Sequence, residues 1–282
     1  MTEPAELQAQ QILSWNGEIG AYWVAQQERL DEVLAPIGKA TLALAAPERG
    51  ERAVDIGCGC GATALMLAEA VGATGRVTGL DISAPMLARA RERSAGVPQL
   101  DWIEADAAEH PFAPQSIDLL FSRFGVMFFA DPKAAFANLR QGLKPGGRLA
   151  FSCWRSLVEN PWMNLPFQAS LDHVPSPPRP NPEDLGPFAF ADRDRVTGIL
   201  IAAGFAPPEF VPLDVTIDLA NAAGLDAAVH QATSFGAARR LLEGQPEAVR
   251  AAAAAAIREA LAPHLRGGSV VLPGAVWLVR SL

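Results

Sequence analysis

The chain is short of cysteine, of histidine and of basic charge, and each shortage excludes something. Cys58, Cys60 and Cys153 are the three cysteines in 282 residues. They are few, odd in number and set in expected core segments, which suits a reducing cytosol rather than a disulfide scaffold. No histidine or cysteine cluster accompanies Cys58 and Cys60, so these two read as small turn residues and no metal is expected. Lysine and arginine total 23 against 31 acidic residues, a net charge of −8. A protein that tracks nucleic acid usually has the opposite balance, so no nucleic-acid partner is expected. No uncharged apolar run is long enough to span a bilayer. Residues 1–11 lack a basic and then apolar leader pattern, so no signal peptide is expected and the expected location is cytoplasmic. There is no internal repeat.

What is present is a large apolar fraction. Hydrophobic residues make up 50% of the chain, enough for a sizeable core in one large domain or a domain with an addition. Residues 5–46 show apolar residues at helical spacing, with Pro36 expected to kink or divide the run. Trp15, Tyr22 and Trp23 cluster there. They either pack an amphipathic helix or form a lid over a ligand, with Asn16 or Gln26 supplying hydrogen bonds.

From residue 52 the pattern alternates. Strands are expected at 52–56, 76–80, 100–104, 117–121 and 148–153. Between them, helices are expected over 62–71, from Ser83 to a stop at Gly96, and after Asp131-Pro132. Lys144-Pro145-Gly146-Gly147 reads as a turn. Alternation of this kind predicts a parallel sheet wound on both faces, with ligands bound beyond the carboxyl ends of its strands. Those ends carry Gly57–Gly61, Asp81, Asp106 and Ser122–Phe124.

Beyond residue 154 the pattern loosens. Pro175, Pro177, Pro178, Pro180, Pro182 and Pro187 mark an exposed loop, either a connection or part of a substrate entrance. A helix is expected from an Asp192 cap to Ala203, a sixth strand over 209–217, helices over 225–242 and 247–262, and a closing strand over 275–281.

The organising stretch is Val54-Asp55-Ile56-Gly57-Cys58-Gly59-Cys60-Gly61, a strand followed by a turn of alternate glycines and the start of a helix. Such a turn lets a ligand approach bare backbone above a helix N-terminus. Gly59 to Ala64 also fits the dinucleotide pattern, with Asp81 twenty residues past Gly61, so an NAD-type oxidoreductase is one reading. Asp55 favours another: a carboxylate at the strand end repels a pyrophosphate and welcomes an ammonium group.

Five separated segments resemble the class I S-adenosylmethionine-dependent methyltransferases, most closely the small-molecule branch that includes quinone-biosynthesis C-methyltransferases. They are Val54–Gly61, Gly79–Leu87, Ala105–Ala107, Phe121–Met127 and Leu143–Leu149. The resemblance implies a Rossmann-like seven-stranded sheet, mostly parallel with the last strand antiparallel. It implies a helical lid over 1–48, a cofactor core over 49–155, and over 156–282 a substrate-side loop, a helical insertion and closing strands of the same domain. It implies that Gly57, Cys58, Gly59 and Gly61 present backbone to the methionine part of S-adenosylmethionine. Asp55 then holds its ammonium and Asp81 its ribose hydroxyls. Ile82 and Met86 sandwich the adenine, and Asp106 with Ala107 reads its edge. Trp15, Tyr22, Trp23, Ser122 and Phe124 complete that site. Asp81 as a turn cap and Met86 as core are the alternatives.

The acceptor is expected to be a small molecule, hydrophobic or aromatic, entering over the ends of the fourth and fifth strands. Arg123, Phe128, Trp154, Arg155 and Trp162 are its candidate walls. Arg123 and Arg155 are candidates for an anionic group on the acceptor, or else solvated or ion-paired. His230 and His173 are the candidate bases, against the alternative of surface histidines. A non-catalytic protein that keeps the cofactor fold is the third reading. The sequence leaves the oligomeric state open.

Overall fold

A computed structural model describes residues 4–174 and 185–282. Pro175, Pro177, Pro178, Pro180 and Pro182 of the expected entrance loop lie outside the described residues; Pro187 lies within them. The chain opens with three helices, α1 (Pro4–Asn16), α2 (Glu18–Ala25) and α3 (Gln27–Ala45). The expected break at Pro36 is not where the run divides. Pro36 sits inside α3, and the chain turns instead at Gly17 and Gln26. Leu30, Leu34, Ile37, Thr41 and Ala45 are all buried along one stripe of α3, and that packing outweighs the backbone bond a proline removes. At the Gly17 corner the chain folds tightly: a Cβ at Gly20 would stand 2.0 Å from the Trp15 carbonyl oxygen.

Strand and helix then alternate as expected: β1 (Arg52–Ile56), α4 (Ala62–Val71), β2 (Arg76–Asp81), α5 (Ala84–Arg93), β3 (Leu100–Glu104), β4 (Ile117–Arg123), α6 (Pro132–Gly142) and β5 (Leu143–Trp154). The Asp131 side chain caps α6 by accepting from the Ala134 N–H. α5 ends at Arg93, three residues before the expected stop at Gly96. The turn expected over Lys144–Gly147 is built into β5 as a bulge. Ile117 pairs with Leu143, yet Leu119 pairs with Arg148, and Gly146 has φ +80 within the looped segment. Arg148 also ties α3 to the sheet, donating to the Ala46 carbonyl at 2.7 Å and pairing with Glu51 at 2.7 Å.

After β5 come α7 (Pro161–Leu171), α8 (Arg193–Ala202), β6 (Glu209–Asp218), α9 (Leu225–Ser234), α10 (Gly236–Leu242), α11 (Glu247–Leu261), β7 (Leu265–Arg266) and β8 (Ser269–Ser281). The helix expected over 225–242 is two, because Gly236 adopts φ +83 between α9 and α10. The strand order is β3-β2-β1-β4-β5-β8-β6, with the short β7 paired antiparallel to β8. β1 pairs parallel with β2 on one side and with β4 on the other. The order therefore reverses between β1 and β4, which opens a crevice beyond their carboxyl ends.

The chain forms two compact units. The first comprises Met1–Cys153, Leu185–Pro212 and Trp277–Leu282. On one face of its sheet, Ala45, Ala64, Leu67, Phe121 and Ala150 form an apolar cluster. The rings of Phe136, Phe151, Phe190 and Phe205 form another, with centroids about 6 Å apart. The second unit comprises Trp154–Asp184 and Leu213–Val276. Its core gathers Val174, Leu241, Leu242 and Ala253, with Phe167 and Leu171 of α7 packed against them. No helix among the described residues is long and apolar enough to cross a membrane.

Candidate active site

The glycine turn is bare because neighbours fill the places where side chains would go. Gly57, Gly59 and Gly61 have φ of +64, +56 and +84. A Cβ on Gly57 would lie 2.7 Å from Gly125 Cα, and one on Gly61 would lie 2.7 Å from the Trp102 ring. The amides of Gly57 and Cys58 both donate to the Leu80 carbonyl, at 2.8 and 3.2 Å. α4 starts straight from Gly61 with no side-chain cap, so its first N–H groups and its positive end face the turn. Burial pushes the Cys58 thiol well up and the Cys60 thiol up to about 11, so both stay protonated. Among the described residues no group of three histidine, cysteine or acidic side chains is arranged to hold a metal.

Carboxylates stand at the tips of β1 and β2, and a third follows β3. Asp55 is fully buried; its Oδ2 accepts from Thr63 Oγ1 at 2.6 Å, and its Oδ1 has no partner among the described residues. Burial raises its pKa to about 7, against the lowering effects of Thr63 and of the Arg123 charge. Asp81 accepts from the Gly59 N–H at 2.7 Å and the Ser83 N–H at 2.9 Å, so it clasps the glycine turn and caps its own loop. Burial raises its pKa too, opposed by those backbone donors. Asp106 accepts from the Ala108 N–H at 2.8 Å, and Gln8 of α1 faces its carboxyl. Met86 and Ala107 are buried, and Ile82 is half-buried. The Met86 methyl would stand 2.8 Å from a Cβ on Gly59.

α1 is fastened to this rim. Asn16 donates its amide to the Ile82 carbonyl and accepts from the Ala84 N–H, both at 2.9 Å. Ser83, expected to cap α5, stands at the cap position but donates its hydroxyl to the Trp15 carbonyl at 2.7 Å; Asn16 serves the first N–H of α5 instead. Trp15, Tyr22 and Trp23 are half-buried. The Trp15 ring stands edge-on to Phe128 at 5.2 Å and lies 6.3 Å from Trp23. Gln26 links α2 to α3.

The tip of β4 closes the other side of the crevice. Ser122 donates to the Ile56 carbonyl at 2.8 Å and accepts from the Gly125 N–H at 3.1 Å. Phe124 is buried with φ +71, a conformation costly for a side-chain-bearing residue and frequent at functional sites. Arg123 turns toward α3 and α4: a Cβ on Gly38 would lie 3.6 Å from both its Nη1 and Thr63 Cγ2.

The remaining candidates belong to the second unit. Trp154 and Trp162 are buried with ring centroids 5.1 Å apart, and Trp162 stacks on Phe235 at 6.1 Å. Arg155 pairs with Glu159 and Asp214. His173 and His230 are exposed.

Thr63, Gln8 and Gly125 did not stand out in the sequence. Thr63 had a usable signal, since it falls in the first helical turn after the glycines, eight residues past Asp55. Gln8 had none.

Known proteins are similar to this chain. The model of the methyltransferase domain matches residues 54–151. Aklanonic acid methyltransferase DauC of Streptomyces sp. (strain C5) is 34% identical over 157 residues, which cover 53% of this chain and 71% of that protein. The chain belongs to the methyltransferase domain family. A second relative, the 2-phytyl-1,4-naphtoquinone methyltransferase of Thermosynechococcus vestitus, is 41% identical over 102 residues, 36% of this chain and 45% of that protein. The chain thus spans less than half the length of this second relative. Among solved structures, the YcgJ protein of Bacillus subtilis covers 86% of this chain and 96% of its own at a TM-score of 0.57 and 16% identity, a likeness of fold.

The crevice of this methyltransferase suits S-adenosylmethionine, the cofactor expected from the sequence. The glycine turn has no room for side chains, and a buried carboxylate oxygen beside it lacks a donor among the described residues, so an ammonium-bearing nucleoside meets both features. Nothing in the comparisons favours the oxidoreductase reading of the glycine spacing.

Proposed function

We propose that this enzyme methylates a small aromatic acceptor of the quinone type, in the cytoplasm. The relatives carry the reading: the two named above act, by name, on aklanonic acid and on 2-phytyl-1,4-naphtoquinone. Three free, buried cysteines support the location.

When bound, S-adenosylmethionine supplies an electrophilic methyl carbon on a sulfonium. The chain supplies position and dryness. Gly57, Cys58, Gly59 and Gly61 hold the methionine part against backbone, and Asp55 Oδ1 takes its ammonium. Asp81 keeps lone pairs for the ribose hydroxyls beyond the two N–H bonds it accepts. Ile82 and Met86 flank the adenine, and Asp106 with Ala107 reads its edge. Trp15, Tyr22 and Trp23 cover it, with Ser122 and Phe124 on the β4 side. Excluding water keeps a competing nucleophile out and strengthens the charge contacts. With His173 and His230 both exposed, the acceptor's own ionisation serves in place of a protein base.

Incubating the purified protein with methyl-labelled S-adenosylmethionine tests the proposal. Hydroxylated naphthoquinones and anthraquinones form one arm, and non-aromatic amines and acids the other. Label in the quinone arm alone is the expected result. Label only in the non-aromatic arm overturns the acceptor class.

A further inference from the structure

Three polar side chains share one face of the sheet at the tips of three adjacent strands. β4 lies between β1 and β5. Asp55 pairs with Phe121, Phe121 with Ala150, and Arg123 with Ser152. Parallel partners point to the same face, and so do residues two apart on one strand. Asp55, Arg123 and Ser152 therefore project to the side covered by α3 and α4, where Gly38 and Thr63 approach Arg123.

Each of the three has bonding capacity left over. Asp55 Oδ1 and Ser152 Oγ are buried without a hydrogen-bond partner among the described residues. Arg123 feels the charges of Asp31 and Asp55, but both acids are engaged elsewhere. Asp31 takes Gln27 at 2.6 Å and Arg93 at 2.7 Å, and Asp55 takes Thr63 at 2.6 Å. A half-buried guanidinium and a buried hydroxyl left in this condition call for an acceptor-rich anion; the carboxylate two residues back along the sheet calls for a donor-rich cation. An α-amino acid carries both charges on one carbon.

We propose that Arg123 and Ser152 bind the carboxylate of the cofactor's amino-acid tail, opposite the ammonium at Asp55, and thereby select for an intact zwitterion. The proposal rests on reading the crevice as the S-adenosylmethionine site. It moves Arg123 from the acceptor wall, where the sequence alone put it, to the cofactor.

Calorimetry with the full chain tests it, using S-adenosylhomocysteine and its decarboxylated analogue, which keeps the ammonium. The wild type should bind the decarboxylated compound at least about tenfold more weakly, the scale of a charge-assisted hydrogen bond lost from a buried site. Arg123→Gln should weaken S-adenosylhomocysteine by a similar factor and leave the decarboxylated compound within about twofold, so that the two ligands converge. Ser152→Ala should narrow the gap by a smaller factor, and decides the matter if Arg123→Gln does not fold. An unchanged gap in both variants overturns the proposal. So does an Arg123→Gln enzyme whose KM rises for the acceptor alone, which would return Arg123 to the acceptor. If the wild type binds neither adenosyl compound, the cofactor-site reading falls first and takes the proposal with it.

Discussion

Thr63 donates its hydroxyl to one oxygen of Asp55 at 2.6 Å, while the other oxygen is buried and unbonded among the described residues. The carboxyl is therefore held half-satisfied, with a pKa of about 7 that burial sets and Thr63 restrains. Removing that restraint with Thr63→Val should push the pKa higher still. The pH at which S-adenosylhomocysteine affinity reaches half its plateau should rise above 7, and neutral-pH affinity should drop by about 1.5–3 kcal/mol, the range for a hydrogen bond to a charged group. Calorimetry across pH 5–9 checks both. A midpoint unmoved by Thr63→Val would disconnect the hydroxyl from the titration.

The same carboxyl sets a sign for stability. The folded protein holds the Asp55 proton up to about pH 7, whereas the unfolded chain releases it near 3.8. Between those values the folded state binds the extra proton, so this group's contribution to stability falls as pH rises and levels off above 7. Arg123, Asp81 and Thr63 face the group and shape the midpoint. Urea titrations without ligand should show that decline, and Asp55→Asn should flatten it. A stability profile equally steep in the variant would assign the decline to other groups.

Asp81 has a structural duty besides its proposed ribose contact. It accepts from Gly59 N and Ser83 N, so Asp81→Ala should lower folding stability by about 1–3 kcal/mol as well as weaken cofactor binding by about 1.5–3 kcal/mol. Denaturation and binding measured on one preparation separate the two. Lost stability with unchanged affinity would leave Asp81 as a turn clasp alone.

Two glycines should respond unequally to alanine. At Gly59 the new methyl meets only the mobile end of Met86, and the cost is the positive φ, about 1–2 kcal/mol. At Gly125 it would stand 2.5 Å from the Ile56 carbonyl oxygen and 2.8 Å from Gly57 Cα, backbone that holds the crevice in shape. Gly125→Ala should therefore be the more destabilising, by at least about 1–3 kcal/mol beyond Gly59→Ala, the usual cost of overpacking. Thermal melts rank them, and the reverse order would contradict the packing described between β1 and the β4 tip.

The clasp between α1 and α5 should be separable from the rest. Asn16→Ala removes both bonds to Ile82 and Ala84, a loss of about 1–3 kcal/mol if each is worth a typical net hydrogen bond. Hydrogen exchange should rise across α1 and leave β1 and β4 protected. Equal loosening throughout would show that Asn16 supports the whole unit.

Local chemistry made much of this legible in the sequence. Gly57, Gly59 and Gly61 are spaced for a turn that only glycine fills, Asp131-Pro132 opens α6 as expected, and Asp192 caps the helix it was expected to cap. Failures came where distant contacts override local preference. Pro36 lies inside a helix because a buried stripe holds that helix together. α7 went unread because Pro161 and Pro166 interrupt its pattern, while its burial of Trp162 and Met163 is set by residues far along the chain. Ser83 was assigned to its own helix, but Trp15, 68 residues earlier, takes its hydroxyl.

The backbone passes between the two units four times, after Cys153, Asp184, Pro212 and Val276. No single cut releases the second unit, and no simple truncation isolates the first, because one of its stretches, Trp277–Leu282, follows the second unit in the chain. Grafting a relative's second unit onto this enzyme therefore requires transplanting two stretches together, with four junctions, while that native tail stays in place.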